Sequence, residues 1–256
     1  MDNPTGLKVK FEVMSKEEQA GSIAGFFGTF PSKSMAQYII KWFGLDIAQL
    51  KGKSEQQQYD YIFKIISPLY DNAKKEMEEK KELFQRHWDT HQSSINEEFA
   101  KIFDYEIPNK KCIGNVNLNP ISPRYIENWS FDLPHGYTAS EAFSISIHEI
   151  IHFLWFNKWK KIFPNWKPQD FECPSFSWLL SEISVDPIIK NSELLTKLTL
   201  KNQRAYDYFY TDKFIDEKTP VEIFRKLYSE NSLDQYMKKG LSILNKNYEQ
   251  TQNLIR

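Results

Sequence analysis

The sequence predicts an α+β fold dominated by helices, on three observations. Glycine is scarce, 9 of 256 residues, about half the usual share of ~7%, which argues against a turn-rich all-β sandwich. Apolar residues recur at three- to four-residue spacing over most of the chain, the pattern of amphipathic helices. Only a few short stretches alternate apolar and polar residues, enough for a small mixed sheet. The length suits one large domain or two modest ones. A hydrophobic share of 41%, with Phe 19, Tyr 13 and Trp 7, can fill a sizeable core.

The elements follow in order. Leu7–Met14 (LKVKFEVM) alternates and reads as a strand. Gly21–Phe30 holds Gly21, Gly25 and Gly28 and reads as a loop. Helices are predicted over Ser34–Trp42 and, behind a Ser54 cap, over Glu55–Ile66. Pro68 opens a long helical pattern to Phe103, in which Ala73, Met77, Phe84, Trp88, Ile95 and Phe99 form one buried stripe. The run Lys74–Lys81 on the opposite face is a solvated surface. Lys111–Leu118 and Tyr125–Leu133 read as extended, separated by a Pro120–Pro123 turn. A helix starts at Thr138, where Thr138 and Glu141 make a capping box, and runs to Lys160, short of Pro164. The next runs from Pro174 to Val185 and stops ahead of Pro187. Residues 191–256 are helical by pattern, with a capped start at Thr219 and a final amphipathic segment from Ser232. The organisation predicted is an N-terminal segment 1–66, a core 67–190 and a C-terminal helical part 191–256.

Composition excludes several function classes. With 33 basic against 34 acidic residues there is no basic field to recruit nucleic acid. The two cysteines, Cys112 and Cys173, cannot form a disulfide scaffold or a four-cysteine zinc site; two buried free thiols are the plainer reading, with one disulfide between them the alternative. Met1–Lys16 lacks the apolar core of a signal peptide. The apolar stretch Ala20–Phe30 is too short to span a bilayer, and no run approaches the ~18 residues a spanning helix needs. No membrane partner is expected, and the chain reads as a soluble, cytoplasmic protein.

The chemistry lies in Ile147–Phe153, which contains His148-Glu149-Ile150-Ile151-His152. Four residues on a helix leave the two imidazoles ~40° apart on one face, one turn apart. From there both nitrogens reach one Zn²⁺. Glu149 projects from the neighbouring face, where it can take a proton from the attacking water as general base and pass it to the leaving amine. Chance would give one such match in a chain of this composition with a probability of about 1%. Ile145, Ile147, Ile150, Ile151, Phe153, Leu154, Trp155 and Phe156 surround the polar triplet and would dry the site. A catalytic zinc takes a third protein ligand. The candidates are the remaining histidines, Asp170, Glu172, Cys173 and Glu182; Glu182, on the next helix, is the strongest. Asp186 shares its face four residues on and could accept the outer N–H of a zinc-binding histidine.

HEIIH at 148–152 followed by SEISVD at 181–186 resembles the gluzincin branch of the zincin metallopeptidases, the thermolysin-like enzymes. The resemblance is strong over about ten residues and extends loosely to the order of elements from Asp71 to Val185. It implies a zincin-like fold with an active-site helix and a glutamate helix, one zinc held by His148, His152 and Glu182, Glu149 as catalytic base, and Asp186 supporting a zinc-binding histidine. The core 67–190 would then be the catalytic part. The substrate implied is a peptide or protein chain, extended beside an edge strand matched to Gly114–Leu118 (GNVNL). The resemblance also implies a tyrosine or histidine facing the developing oxyanion. The candidates are Tyr206, Tyr208 and Tyr210 in the stretch 204–210, then Tyr228 and Tyr236.

Other features read as structural. His87 and His91 stand four apart with an apolar stripe beside them, and His135 lies in a turn. Trp155, Trp159 and Trp166 read as core rather than as a platform for sugars or bases. A non-catalytic binding or regulatory protein stabilised by zinc is the alternative to the peptidase, and a narrow-specificity processing enzyme or effector is a further one.

Overall fold

The computed structural model describes residues 6–28, 33–201 and 206–255. They form a helix-rich α+β fold with a small mixed sheet of four strands. The chain divides into two compact units. The first takes Lys8–Thr90 and Lys111–Phe143; the second takes His91–Lys110 and Ser144–Arg256, with the segment that ends at Leu7.

The first unit is built on the sheet: β1 (Lys8–Val13), β2 (Lys111–Asn117), β3 (Arg124–Tyr125) and β4 (Ser130–Pro134), in the order β1-β2-β4-β3. The pairs β1–β2 and β2–β4 are parallel, and β3–β4 is antiparallel. Phe11 pairs with Gly114, and a Cβ on Gly114 would come within 2.6 Å of the Phe11 ring and 3.3 Å of Phe131, so only glycine fits. The extended stretch predicted over 125–133 is instead a hairpin, reversed through Trp129 at φ 52°. The strand matched to Gly114–Leu118 is not an edge: β2 has β1 on one flank and β4 on the other, so its backbone groups are already paired.

Helices α1 (Lys16–Gly28), α2 (Lys33–Phe43) and α3 (Glu55–Asp89) complete this unit. The stretch 21–28, predicted as a loop, is helical; residues 29 and 30 lie outside the described residues. Ala20, Ile23 and Phe26 are buried, and α1 packs on α3. That burial outweighs the cost of glycine in a helix, about 1 kcal/mol each. α3 starts at the expected Ser54 cap, in a full box with Gln57. Pro68 lies inside it instead of opening a new helix, and Ser67 Oγ donates to the Phe63 carbonyl at 2.6 Å. The helix predicted to reach Phe103 breaks at Thr90–His91. Thr90 Oγ1 turns back to the Arg86 carbonyl at 3.0 Å, and a separate α4 (Gln92–Phe103) follows. Of the predicted stripe, Met77, Phe84, Trp88, Ile95 and Phe99 are buried, while Ala73 at its start is only half-buried.

The second unit holds α4, most of α5 (Ala139–Ile162), α6 (Phe176–Asn191), α7 (Glu193–Lys197), α8 (Tyr208–Thr211), α9 (Pro220–Ser229), α10 (Leu233–Lys246) and α11 (Tyr248–Asn253). The predicted cap at Thr219 is a full box with Glu222, and the segment beginning at Ser232 also starts with a full box, with Gln235. α6 is buried without a break from Ser177 to Ile189, with α9 and α10 packed on it. It does not stop before Pro187. Burial of Ile188 and Ile189 beyond the proline offsets the ~3 kcal/mol that an interior proline costs. α10 approaches closely at Gly240, where a Cβ would meet Leu180 at 2.9 Å. Among the described residues no helix is long and apolar enough to cross a membrane.

Candidate metal centre

Thr138 caps α5 as the sequence predicts. Its N–H and hydroxyl donate to Glu141 Oε2 at 2.9 and 2.8 Å, and Thr138 Oγ1 accepts the Glu141 N–H at 3.3 Å. Ile147, Ile150, Ile151, Phe153, Leu154, Trp155 and Phe156 are buried on every side of this helix, so what it presents inward at 148, 149 and 152 is held in a dry environment. α6 starts at Ser175, whose Oγ accepts the Trp178 N–H at 3.0 Å, and carries Glu182 at its buried middle.

The two helices bring three ligand-type side chains together. His148 Nε2 and His152 Nε2 are 3.0 Å apart, and Glu182 Oε1 lies 3.6 Å from His152 Nε2 and Oε2 4.0 Å from His148 Nε2. Among the described residues this is the group of His, Cys, Asp and Glu side chains that could hold a metal ion, with its ligand atoms within 4.8 Å of one another. A tetrahedral ion with bonds of ~2.0–2.2 Å separates its ligands by about 3.3–3.6 Å, so the spacing needs adjustments of only a few tenths of an ångström. The imidazole planes cross at 64° with ring centres 4.8 Å apart. Phe156 lies nearly parallel to the His152 ring, at 19°.

Charge gives a second test of fit. His148, Glu149, His152 and Glu182 are between 0% and 9% exposed, so two carboxylates are buried beside two imidazoles. One divalent cation with neutral imidazoles would bring this group to zero net charge, removing most of the cost of burying it. The donor set fits.

Asp186 is on the same face of α6 as Glu182, but its carboxylate is directed elsewhere. Arg225 from α9 grips it with Nε on Oδ1 at 2.5 Å and Nη2 on Oδ2 at 2.8 Å. The Tyr210 hydroxyl donates to Oδ2 at 2.9 Å. The bond expected from a histidine is not formed: neither His148 Nδ1 nor His152 Nδ1 donates to Asp186. The reason is the bidentate guanidinium, which matches a carboxylate better than an imidazole does. The hydrogen bonds to Asp186, and then its charge, in turn raise Arg225 above the ordinary arginine value.

The tyrosines separate by environment. Tyr236 is fully buried, its hydroxyl 3.0 Å from Ser184 Oγ, and burial drives its pKa upward. Burial likewise pushes Tyr228 up to about 12. Tyr206 and Tyr208 stack on each other at 5.2 Å, with Trp178 against Tyr206. Tyr210 is bonded to Asp186, one helix turn from Glu182. Residues 204 and 205 of that stretch lie outside the described residues.

Cys112 and Cys173 are not joined in a disulfide. Burial, and then the charges of Glu182 and Glu172, raise the Cys173 thiol, but neither it nor Asp170 nor Glu172 belongs to the ligand group. His87 packs edge-on against Phe143 at 5.1 Å, the His91 carbonyl accepts from Ser94 Oγ at 2.9 Å, and His135 Nδ1 is 3.2 Å from the Asn117 carbonyl. None of the three joins the group. Sequence reasoning missed Arg225, which sits mid-helix in PVEIFRKLYS with no local signal of its partner. No protein-family model, curated protein or solved structure matches the chain.

Proposed function

We propose that the chain is a zinc-dependent peptidase of the zincin type. The observation that carries this reading is the meeting of two imidazole Nε2 atoms from one helix turn with the Glu182 carboxylate, beside a buried Glu149. His148, His152 and Glu182 would hold one ion, and two nitrogens with one carboxylate suit zinc with a position left open. When bound, the ion supplies Lewis acidity, lowering the pKa of water and polarising a carbonyl. Glu149 is the general base: its carboxylate takes the proton of the attacking water and hands it to the leaving amine nitrogen. Ile147, Ile151 and Phe156 keep bulk water out, which strengthens the electrostatic interactions inside. The Tyr210 hydroxyl, whose single proton goes to Asp186, would have to release that carboxylate before it could donate to a carbonyl oxygen gaining charge. The substrate class is a peptide or protein chain bound extended.

The test is zinc content measured with cleavage of unstructured peptides. Glu149→Gln should keep one zinc per chain and lose about 10²–10⁴-fold in kcat. Full activity in that variant with zinc retained would refute the reading, as would zinc that stays bound in His152→Ala. Burial of all four groups also suits a zinc that stabilises a non-catalytic binding protein. A large fall in Tm on chelation, with no cleavage of any peptide by the zinc-loaded chain, would assign that role instead.

A further inference from the structure

The second unit contains a cavity of about 590 Å³ that shares no residue with the metal group, a volume within the range of small-molecule sites. It opens between the C-terminal end of α5, the loop that follows, the start of α6, and α10 with α11. Trp159 lies on α5 two turns beyond His152, about 10 Å along the axis, so the cavity and the metal group occupy different stretches of the same helix.

Its lining has a distinct chemistry. Trp159, Phe163, Trp166, Phe176 and Tyr248 give it aromatic walls, and among the described residues Asp170 is its only charged side chain. Asp170 is partly spent locally, with Oδ2 accepting the Lys167 N–H at 2.8 Å, while the Ser175 and Ser177 hydroxyls both turn inward to the Asp170 carbonyl. The remaining polar side chains of the lining are amides on three separate elements: Asn165 in the loop, Asn245 on α10 and Gln252 on α11. Asn245 Nδ2 donates to the Leu241 carbonyl at 2.8 Å, which leaves its Oδ1 as an acceptor. Tyr248 is 59% exposed, with Phe176 beside it at 5.6 Å between ring centres.

We infer that this cavity is a binding site for a neutral polyhydroxylated ligand, a sugar unit of one or two rings. The lining residues include no lysine, arginine or histidine, and the neighbouring Lys160 ammonium is held over the Trp166 ring at 4.5 Å, so no cation within the wall is built to pair with a phosphate or other anion. A single, partly spent carboxylate does not make a cation site. An extended peptide would need a row of backbone partners along a groove, whereas the amides here stand on three separate elements. Amides from three elements offer paired donors and acceptors to the hydroxyls of a pyranose, and an exposed tyrosine face takes the apolar C–H face of the ring.

Saturation-transfer NMR on the full chain tests this, with maltose, cellobiose and N,N′-diacetylchitobiose as probes at millimolar concentration. At least one should receive saturation on its ring protons and shift the side-chain amide signals of Asn245 and Gln252. Tyr248→Ala, at an exposed position that leaves the fold intact by circular dichroism, should weaken that disaccharide about tenfold, and Asn165→Ala with Gln252→Ala should do the same. His152→Ala should leave the binding unchanged. Absence of transfer to all three sugars overturns the inference, and so does unchanged affinity in both variants. Tighter binding of tetramethylammonium or of a phenylalanine tripeptide at the same amide signals also overturns it.

Discussion

Asp132 offers the sharpest quantitative test. It is fully buried in β4 and accepts hydrogen bonds from Ser22 Oγ at 2.8 Å, Tyr125 Oη at 3.3 Å and Asn115 Nδ2 at 3.3 Å. Burial outweighs these bonds and raises its carboxyl from 3.8 to about 6. A difference of about two units corresponds to about 3 kcal/mol. The folded chain holds this proton below about pH 6 and the unfolded chain only below about pH 4, so folding takes up a proton between those values. Stability therefore falls as pH rises through that window, and the full penalty is present above about pH 6. Asp132→Asn, which keeps the shape and removes the charge, should lack the effect. Urea unfolding of both chains between about pH 4 and 7 should show the wild type losing up to about 3 kcal/mol relative to the variant, with the difference levelling near the upper end. Carbon-13 NMR of the Asp132 carboxyl should titrate at about 6. A midpoint at the ordinary aspartate value, or a flat difference curve, would refute the reasoning.

Other predictions concern the clamp, the sheet, the first helix and the metal group. Arg225→Leu leaves the buried Asp186 carboxylate with Tyr210 as its remaining donor in this clamp; since the Arg225 side chain is 44% exposed, the loss should be discounted to about 1–2 kcal/mol in urea melts. Unchanged stability would mean the clamp contributes nothing. Gly114→Ala should cost about 1–3 kcal/mol, because the added methyl overlaps the Phe11 ring. Gly21→Ala, with nothing within 4 Å of its added Cβ, should stabilise by up to about 1 kcal/mol. Equal effects of the two glycine substitutions would contradict the packing described. Glu182→Ala should reduce bound zinc at equal free-metal concentration by at least about tenfold, measured by competition with a chelator.

Much of the fold was legible where the controlling interactions are local. The caps at Ser54, Thr138 and Thr219 each pair with a residue three positions on, so both partners stand close together in the chain. The histidine pair and Glu149 were legible for the same reason, since one helix turn defines their spacing. What could not be read depends on distant partners. Gly21 and Gly25 sit in a helix because α1 buries Ala20, Ile23 and Phe26, a tertiary gain that local propensity does not carry. Pro68 and Pro187 are tolerated inside helices whose packing outweighs them. The interior position of β2 follows from β1, a strand from the far N-terminal part of the chain, pairing along one flank. Asp186 is diverted by Arg225, a residue 39 positions away.

The unbroken burial of α6 has a consequence for how this chain tolerates change. A helix with one wet side, such as α3, accepts substitution along that side and resists it only along its buried stripe. Between Ser177 and Ile189 every α6 residue is enclosed, so every position in that stretch resists drift. A scan of all substitutions should trace α6 as a continuous intolerant band in which Glu182 looks no different from Leu179 or Val185. Only a swap that preserves volume while removing charge, Glu182→Gln, separates a residue kept for its chemistry from neighbours kept for their shape.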